Sequence, residues 1–232
     1  MRLETITFST FVLIGLFLHY TYASCHWREA DLCLATLAVY GNVYGIVPST
    51  EDELKVFCRY MKESHDCIRD FAQQCLTDDL IDTGYVLVES THLSYGKFCR
   101  KGSEEQKEWL KKSPCVAAHF NLTRPCIEYA LAGIENLGVI SNKDRYPTLC
   151  CVFNNIMQCI SEIINENCEG SSEDMVTTMM RNILSDIPIV ACKPFKPKSK
   201  KCLSLLPPPN SKSKGKDSDS QLVQLLAEFL SV

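Results

Sequence analysis

The sequence lacks the short motifs that identify common catalytic and metal-binding sites. It contains no G-x-S-x-G nucleophile elbow, no H-E-x-x-H zinc-binding helix and no phosphate-binding P-loop. No two cysteines have the C-x-x-C spacing of zinc sites, and the four histidines after residue 23 are scattered along the chain. We therefore predict a protein that is not an enzyme and that has no catalytic residue, cofactor or metal ligand.

Long apolar runs are also scarce. The one marked run, residues 11–18, is much shorter than the roughly 20 residues that a membrane-spanning helix needs. Arg2 precedes this run and the small residues Ala23 and Ser24 follow it, which is the pattern of a secretory signal peptide. We predict that residues 1–23 are a signal peptide and that the mature protein is secreted, extracellular and without a transmembrane segment.

Cysteine, in contrast, is abundant, and its positions occur in two similar sets. The first set is Cys25, Cys33, Cys58, Cys67, Cys75 and Cys99, and the second is Cys115, Cys126, Cys150, Cys159, Cys168 and Cys192. Corresponding members are 90 to 93 residues apart, so the chain is predicted to contain two tandem copies of one module. The predicted modules are residues 24–102 and 115–192, and Cys151 and Cys202 are left over.

An even number of cysteines in a secreted chain predicts disulfide bonds, here up to seven. The sequence does not specify their connectivity. The duplication favours three bridges inside each module, and by elimination a seventh between Cys151 and Cys202. Cys159 and Cys168 are nine residues apart and would point to opposite sides of a continuous helix. We therefore expect either that they bridge to different partner helices or that the helix breaks between them, and a bridge between them along an unbroken helix is excluded.

The spacing of apolar residues predicts an all-α fold of two small, disulfide-stapled helical domains of about 80–90 residues each. In the first module, Thr50 and Glu53 form a capping box, and a buried stripe through Leu54, Phe57 and Met61 follows. We expect a break in this helix near Ser64. No run of alternating apolar and polar residues is long enough to predict a sheet.

The second module repeats the helical pattern. Three stripes are predicted, and the last has Met175, Met179, Ile183 and Leu184 facing inward until Pro188 ends the helix. Between the modules, residues 103–114 are predicted to be a charged linker with a short helix that ends at Ser113 and Pro114. Trp109 and Leu110 either dock between the modules or belong to a solvated segment with one packed side.

One glycosylation signal is present. Asn121-Leu122-Thr123 is the only N-x-[ST] sequence, so Asn121 is predicted to carry a glycan at the surface.

Charge separates the body from the tail. Residues 24–192 have a net charge of −9, whereas residues 193–232 have eight lysines and a net charge of +5. We predict that this tail is disordered and that its lysines contact polyanions, unless it is only a solubilising or trimmed extension. The lysines are Lys193, Lys196, Lys198, Lys200, Lys201, Lys212, Lys214 and Lys216. Leu222, Leu225, Leu226, Phe229 and Leu230 suggest a terminal amphipathic helix.

Two stretches of the sequence resemble parts of catalytic sites, but neither supports a catalytic function. Cys150-Cys151-Val152-Phe153-Asn154-Asn155 resembles the C-C-x-x-H-D helix of secreted phospholipases A2, but asparagines replace the histidine and the aspartate that this chemistry needs. His65 and Asp66 are adjacent in sequence and would point about 100° apart on a helix. We interpret His65 as a surface residue near a helix start.

The cysteine pattern with its neighbours resembles the insect 27 kDa haemolymph glycoprotein-like family. The resemblance rests on two C-x8-C-I motifs, one that begins at Cys58 and one that begins at Cys150, and on the Val-Ala-Cys-Lys sequence at residues 190–193. It covers residues 25 to 193 and implies a helical body-fluid protein with no catalytic residues, although the basic tail departs from the family. The predicted function is a secreted, non-enzymatic binding protein for a small apolar ligand or an extracellular protein. The alternative is a secreted effector or venom-type protein that acts through its surface and basic tail.

Overall fold

The computed structural model of the protein describes residues 25, 27–75, 78–168, 174–220, 223–224 and 227. These residues form helices and turns without a strand, so the all-α prediction is confirmed. The first four helices are α1 (Trp27–Tyr44), α2 (Glu51–Cys75), α3 (Asp78–Phe98) and α4 (Glu104–His119). The others are α5 (Arg124–Glu135), α6 (Asn142–Asn167), α7 (Asp174–Leu184), α8 (Ile187–Cys192) and α9 (Lys200–Leu205). The predicted signal peptide lies outside the described residues.

Seven disulfides join these helices, and both modules use the same connectivity. In each module the first cysteine pairs with the fifth, the second with the fourth and the third with the sixth. The bridges are Cys25–Cys75, Cys33–Cys67 and Cys58–Cys99, then Cys115–Cys168, Cys126–Cys159 and Cys150–Cys192. Cys151 pairs with Cys202, the two cysteines left over by the duplication. So many disulfides are typical of a secreted or extracellular protein.

Helix α2 begins at the predicted capping box. The Thr50 side chain accepts the Glu53 backbone N–H at 3.2 Å, and the Glu53 carboxylate accepts the Thr50 N–H at 3.3 Å. Leu54 and Met61 are buried as predicted. The expected break near Ser64 is wrong, because α2 is continuous and Ser64 is buried on its inner side.

The segment predicted to be a linker is part of a longer helix. Helix α4 does not end at Ser113 and Pro114 but continues through Pro114 to His119. Its Trp109 side chain is buried, and Cys115 near its end is bonded to Cys168 in the second module. Both modules thus contribute to one apolar core, in which Tyr40, Leu54, Trp109 and Ile164 belong to a single cluster.

Two predictions about the second half of the chain are wrong. Leu184, expected to face inward at the end of α7, is 37% exposed, since the helix ends there and the chain turns at Ser185. The tail was expected to be disordered, but residues 193–220 follow a defined path along the second module. Their order comes from a disulfide and from hydrogen bonds to α5 and α6, which composition alone does not reveal.

The end of the described tail is also packed on α5. Val223 and Ala227 are fully buried against Ile127 and Leu131. The leucines and phenylalanine of the predicted terminal stripe lie outside the described residues. No helix in the described ranges combines the length and the apolarity that crossing a membrane requires.

Candidate ligand cleft between the tail and the second module

A cleft of about 400 Å³ lies where the tail crosses the second module. Its body wall is formed by Pro125, Glu128 and Tyr129 of α5, by Asn155 of α6 and by the Cys126–Cys159 disulfide that joins these helices. The tail supplies the opposite wall with Pro197, Lys198, Leu203 and residues 209–212. Volumes of roughly 300–1,000 Å³ are usual for small-molecule sites.

Three anchors hold the tail in place over this cleft. The Asn154 side-chain amide donates to the backbone carbonyls of Cys192 and Phe195, both at 2.7 Å. The Tyr129 hydroxyl donates to the carbonyl of Pro207 at 2.8 Å, and the Cys151–Cys202 bridge fixes α9 between these two points. Burial raises the pKa of the Tyr129 phenol, so its hydroxyl remains a donor over the physiological range.

Charged groups lie at the rim of the cleft. The Glu128 carboxylate is 3.2 Å from Arg124 and 3.6 Å from Lys212, so its charge is compensated. Lys198 is exposed and lines the cleft. It belongs to none of the ion pairs found in the described part of the chain. The rim is therefore more cationic than anionic.

A smaller depression of about 290 Å³ continues from this cleft along α5. It shares Glu128 and Lys212 with the cleft and is lined further by Leu131 and by residues 213–216 of the tail. At its end the Glu135 carboxylate accepts the backbone N–H of Lys214 at 3.1 Å. The tail thus lies along much of α5 and leaves two neighbouring openings beneath it.

All eight lysines of the predicted polyanion surface are exposed in the structure. Two of them pair with acids, Lys212 with Glu128 and Lys214 with Asp219. The Lys201 ammonium lies 4.8 Å from the centroid of the Phe195 ring. The sequence identified these cations, but it did not place Lys198 and Lys212 at the same cleft.

The interpretation of His65 as a surface residue is wrong. His65 is 7% exposed in the middle of α2, and its Nε2 donates to the Val88 carbonyl at 3.1 Å. Its ring lies 4.8 Å from that of His92, whose Nδ1 is 2.9 Å from the Tyr95 hydroxyl. This cluster packs α2 against α3.

Within the described ranges, one cluster of side chains has the spacing of metal ligands. It consists of Cys115, His119 and Cys168, whose possible ligand atoms all lie within 4.8 Å of one another. The two cysteines are bonded to each other, so neither is a thiolate that could bind an ion. The His119 Nδ1–H donates to the Cys115 carbonyl at 3.0 Å. The arrangement is a structural disulfide with a histidine packed against it.

The structure assigns local roles to two asparagines singled out in the sequence. Asn154, at the histidine position of the phospholipase-like stretch, donates its side-chain amide to two backbone carbonyls where the tail begins. Asn121 is exposed on a 3₁₀ turn, and the Thr123 hydroxyl donates to the Phe120 carbonyl at 2.6 Å. A glycan at Asn121 remains a prediction.

Sequence reasoning missed the cleft because its two walls are far apart in the chain. Tyr129 and Pro207 are separated by 78 residues. The one available signal was Cys151, which the duplication left over and which lies three residues before Asn154 of α6. Comparison with known proteins found no matching family model, curated protein or solved structure.

Proposed function

We propose that the protein is an extracellular, non-enzymatic binding protein whose tail cleft holds a small ligand with an apolar body and an anionic group. The observation that carries this proposal is a cleft with apolar walls and two lysines at its rim. The disulfide content supports the extracellular location, and the resemblance to haemolymph glycoproteins agrees with a body-fluid protein.

The walls are suited to an apolar group. Pro125 and Leu203 face the cleft from opposite sides, and the Cys126–Cys159 disulfide adds sulfur atoms that are weak hydrogen-bond partners. Covering the 64% exposed Leu203 side chain would remove apolar surface from water, which stabilises a complex by about 25 cal/mol per Å².

The rim is suited to an anion. Lys198 forms no ion pair within the described residues. Lys212 pairs with the Glu128 carboxylate, whose charge Arg124 also neutralises. A carboxylate, sulfonate or phosphate on the ligand would gain a charge-assisted hydrogen bond from either ammonium group. Asn155 and Asn210 add side-chain amides to the same lining.

Catalysis is not favoured by this lining. Among the described residues that form the cleft, none is a histidine. The Ser211 hydroxyl donates to the Pro208 carbonyl at 2.7 Å, so it serves the turn of the tail. The residues present can bind and orient a ligand.

The test uses the protein secreted from eukaryotic cells with all disulfides formed. The probe is 1-anilinonaphthalene-8-sulfonate, which combines an aromatic body with one sulfonate, and fluorescence titration gives its Kd. We expect the Lys198→Glu/Lys212→Glu variant to weaken binding about tenfold or more, equivalent to about 1.4 kcal/mol. Leu203→Asp should weaken it similarly, because it places a carboxylate on the apolar wall.

The matched control is Lys193→Glu, which makes a charge reversal on the tail outside the cleft. It should leave the Kd within about twofold of the wild-type value. Equal affinities for all variants, or no probe binding by the folded wild type, would overturn the proposal. Native mass spectrometry of the same preparation checks for a ligand that survives purification.

A second candidate function is contact with an anionic polymer. Five exposed lysines lie between Lys193 and Lys201, and the Cys151–Cys202 disulfide keeps this segment on the body. Heparin chromatography tests this candidate, because binding by these cations should weaken as salt rises. The Lys200→Glu/Lys201→Glu variant should be retained less, whereas Lys212→Glu, which reverses a cleft lysine outside this segment, should be retained as the wild type is. This pair of results would separate the lysine cluster from the cleft.

A further inference from the structure

Exposed apolar side chains gather where α8 packs on the first turns of α6. Tyr146, Leu149 and Val190 are 53%, 48% and 67% exposed. The Cys150–Cys192 bridge holds the two helices together, with Leu149 directly before one of its cysteines and Val190 two residues before the other. Single exposed apolar residues are ordinary, whereas a set gathered in one place points to an interaction partner.

The Phe195 ring extends this apolar set to the start of the tail. It meets the Tyr146 ring edge-on, with centroids 5.7 Å apart. The Tyr146 hydroxyl donates to the Ala191 carbonyl at 2.9 Å, next to Val190. The Lys201 ammonium lies 4.8 Å from the centroid of the Phe195 ring, so a cation adjoins the aromatic pair.

Cations border the apolar set on both helices. Lys143 and Arg145 lie in the first turn of α6, Lys193 directly follows α8, and Lys201 lies over Phe195. All four are exposed, and no ion pair in the described part of the chain includes any of them. These four cations and the apolar residues Tyr146, Leu149, Val190 and Phe195 are called the α6–α8 surface below.

Acidic residues are scarce in the segments that form this surface. Residues 187–216 contain eight lysines and no acid, and residues 136–161 contain one acid, Asp144. The Asp144 carboxylate accepts the Ser141 hydroxyl at 2.6 Å. It lies two residues before Tyr146, which is about 200° around the helix, so it points away from the tyrosine. The exposed charge of the surface is therefore positive.

The acids that come next in the sequence are engaged elsewhere. Asp186, directly before α8, lies 2.6 Å from Arg181, and Glu135 accepts the Lys214 backbone N–H at 3.1 Å. The protein as a whole has a net charge of −4. Attraction to an anionic partner would therefore come from this local surface and not from the overall charge.

We infer that the α6–α8 surface docks on an anionic lipid membrane at the level of the headgroups. The cations would meet lipid phosphates and carboxylates, and the apolar side chains would enter the boundary between headgroups and acyl chains. Tyr146 suits that depth, since its ring is apolar and its hydroxyl is polar. A polysaccharide would satisfy the cations alone and leave the apolar side chains in water. This docking goes beyond both functions proposed above and uses no residue that lines the cleft.

Vesicle flotation with the full-length, disulfide-bonded protein measures the docking. One set of vesicles is phosphatidylcholine alone, and the other contains about 30% phosphatidylserine in phosphatidylcholine. We expect the partition coefficient to be about tenfold or more higher for the phosphatidylserine vesicles at low salt. It should fall between about 50 mM and 300 mM salt, because exposed charges are then screened.

The charge contribution is tested by Lys143→Glu/Arg145→Glu on α6. This variant should lower the partition coefficient about tenfold, and it leaves the lysines of the tail in place. The matched control is Lys55→Glu/Arg59→Glu on α2, which reverses two exposed cations that also lack ion pairs. It changes the net charge equally and should alter the partition coefficient by no more than about twofold.

The apolar contribution separates a membrane from an anionic polymer. Leu149→Ser/Val190→Ser should lower vesicle partition about tenfold and leave retention on heparin at the wild-type level, because every lysine is kept. The matched control is Val86→Ser/Leu93→Ser on α3, whose side chains are exposed to a similar degree. It should leave both measurements unchanged.

Several results would overturn the inference. One is equal partition into both kinds of vesicle, and another is no binding to either, which would leave an acidic protein as the occupant. The others are wild-type vesicle binding by Lys143→Glu/Arg145→Glu, and vesicle binding by Leu149→Ser/Val190→Ser that is unchanged or is lost together with heparin retention.

Folding and the cleft are checked separately. Circular dichroism and a non-reducing mass measurement show that each variant is folded, and Lys143→Glu/Arg145→Glu still tests the inference if the serine variant misfolds. Both variants lie outside the cleft and should keep the wild-type Kd for 1-anilinonaphthalene-8-sulfonate. Failure of membrane docking is thereby distinguished from failure of the proposed ligand cleft.

Discussion

The indole N–H of Trp109 donates to the backbone carbonyl of Pro48 at 2.7 Å, across 61 residues of sequence. Pro48 lies in the turn before α2, and Trp109 lies on α4, which carries Cys115 to the second module. The Trp109 ring also packs edge-on against Phe98 with centroids 5.1 Å apart. One buried side chain therefore joins the turn of the first module to the helix that connects both modules.

Trp109→Phe tests this contact. The substitution keeps an aromatic ring but removes the donor, which leaves the buried Pro48 carbonyl without its partner. We expect the free energy of unfolding to fall by about 1–3 kcal/mol, measured by urea denaturation. Lys107→Ala on the exposed side of α4 is the control and should change it by no more than about 0.5 kcal/mol. Equal stabilities of the two variants would contradict this role.

Gly133 allows α5 to approach α6 and the tail closely. A Cβ atom at this position would lie 2.5 Å from the Val152 Cγ2 and 3.8 Å from Leu206, so Val152 would have to move. We expect Gly133→Ala to lower the melting temperature, with a loss of about 1–3 kcal/mol from overpacking. In Gly96→Ala on α3 the new methyl group meets nothing within 4 Å, and this variant should be about 0.5–1 kcal/mol more stable. Similar melting temperatures for both variants would show that α5 and α6 separate easily.

Glu53 makes the stability depend on pH. The backbone N–H of Ser49, together with the Ser49 hydroxyl and Thr50, lowers the pKa of the Glu53 carboxyl. A lowered folded-state pKa stabilises the fold above the unfolded value of about 4.3, and this contribution is lost as pH falls through the folded value. We therefore expect Glu53→Gln to be less stable than wild type at pH 6 and to lose less stability between pH 5 and 3.

Urea denaturation at half-unit pH steps measures this difference. Asp66, whose pKa is lowered by its hydrogen bond to Lys62, contributes to the same slope and will leave a residual pH dependence. Glu51→Gln, an exposed change in the first turn of α2, is the control and should keep the wild-type slope. If the free energy of unfolding of Glu53→Gln fell with pH as steeply as that of the wild type, the capping box would be excluded as a source of acid sensitivity.

The Cys151–Cys202 bridge should control the order of the tail. The double variant Cys151→Ser/Cys202→Ser removes it without leaving a free thiol, and the six bridges of the modules should form as before. Because the bridge closes 51 residues, its loss should cost about 2–4 kcal/mol. Trypsin should then cleave after Lys200 and Lys201 faster, as measured by mass spectrometry.

Ser204→Ala is the control for this cleavage experiment. Ser204 is an exposed residue of α9, and its hydroxyl donates to the Lys201 carbonyl. The substitution should leave the rate of cleavage by trypsin unchanged. If the double variant is cleaved no faster than wild type, then Asn154 and Tyr129 hold the tail without the disulfide.

The sequence predicted those features that depend on neighbouring residues or on regular spacing. The capping box of Thr50 and Glu53 formed as expected, because all of its atoms lie within one helical turn. The helical class followed from apolar periodicity, and the repeated cysteine offsets correctly implied three bridges inside each module. The seventh bridge followed from the two cysteines that the duplication left over.

Only the tertiary structure decided the features that depend on distant residues. His65 is buried because α3 packs against it, and α4 continues through Pro114 while its Trp109 is held by Pro48. The tail has the composition of a disordered segment, yet Asn154, Tyr129 and Cys151 each bind it from helices that lie 41 to 78 residues away in sequence. Local sequence encodes where a helix forms, whereas burial and long-range hydrogen bonds depend on which surfaces meet after folding.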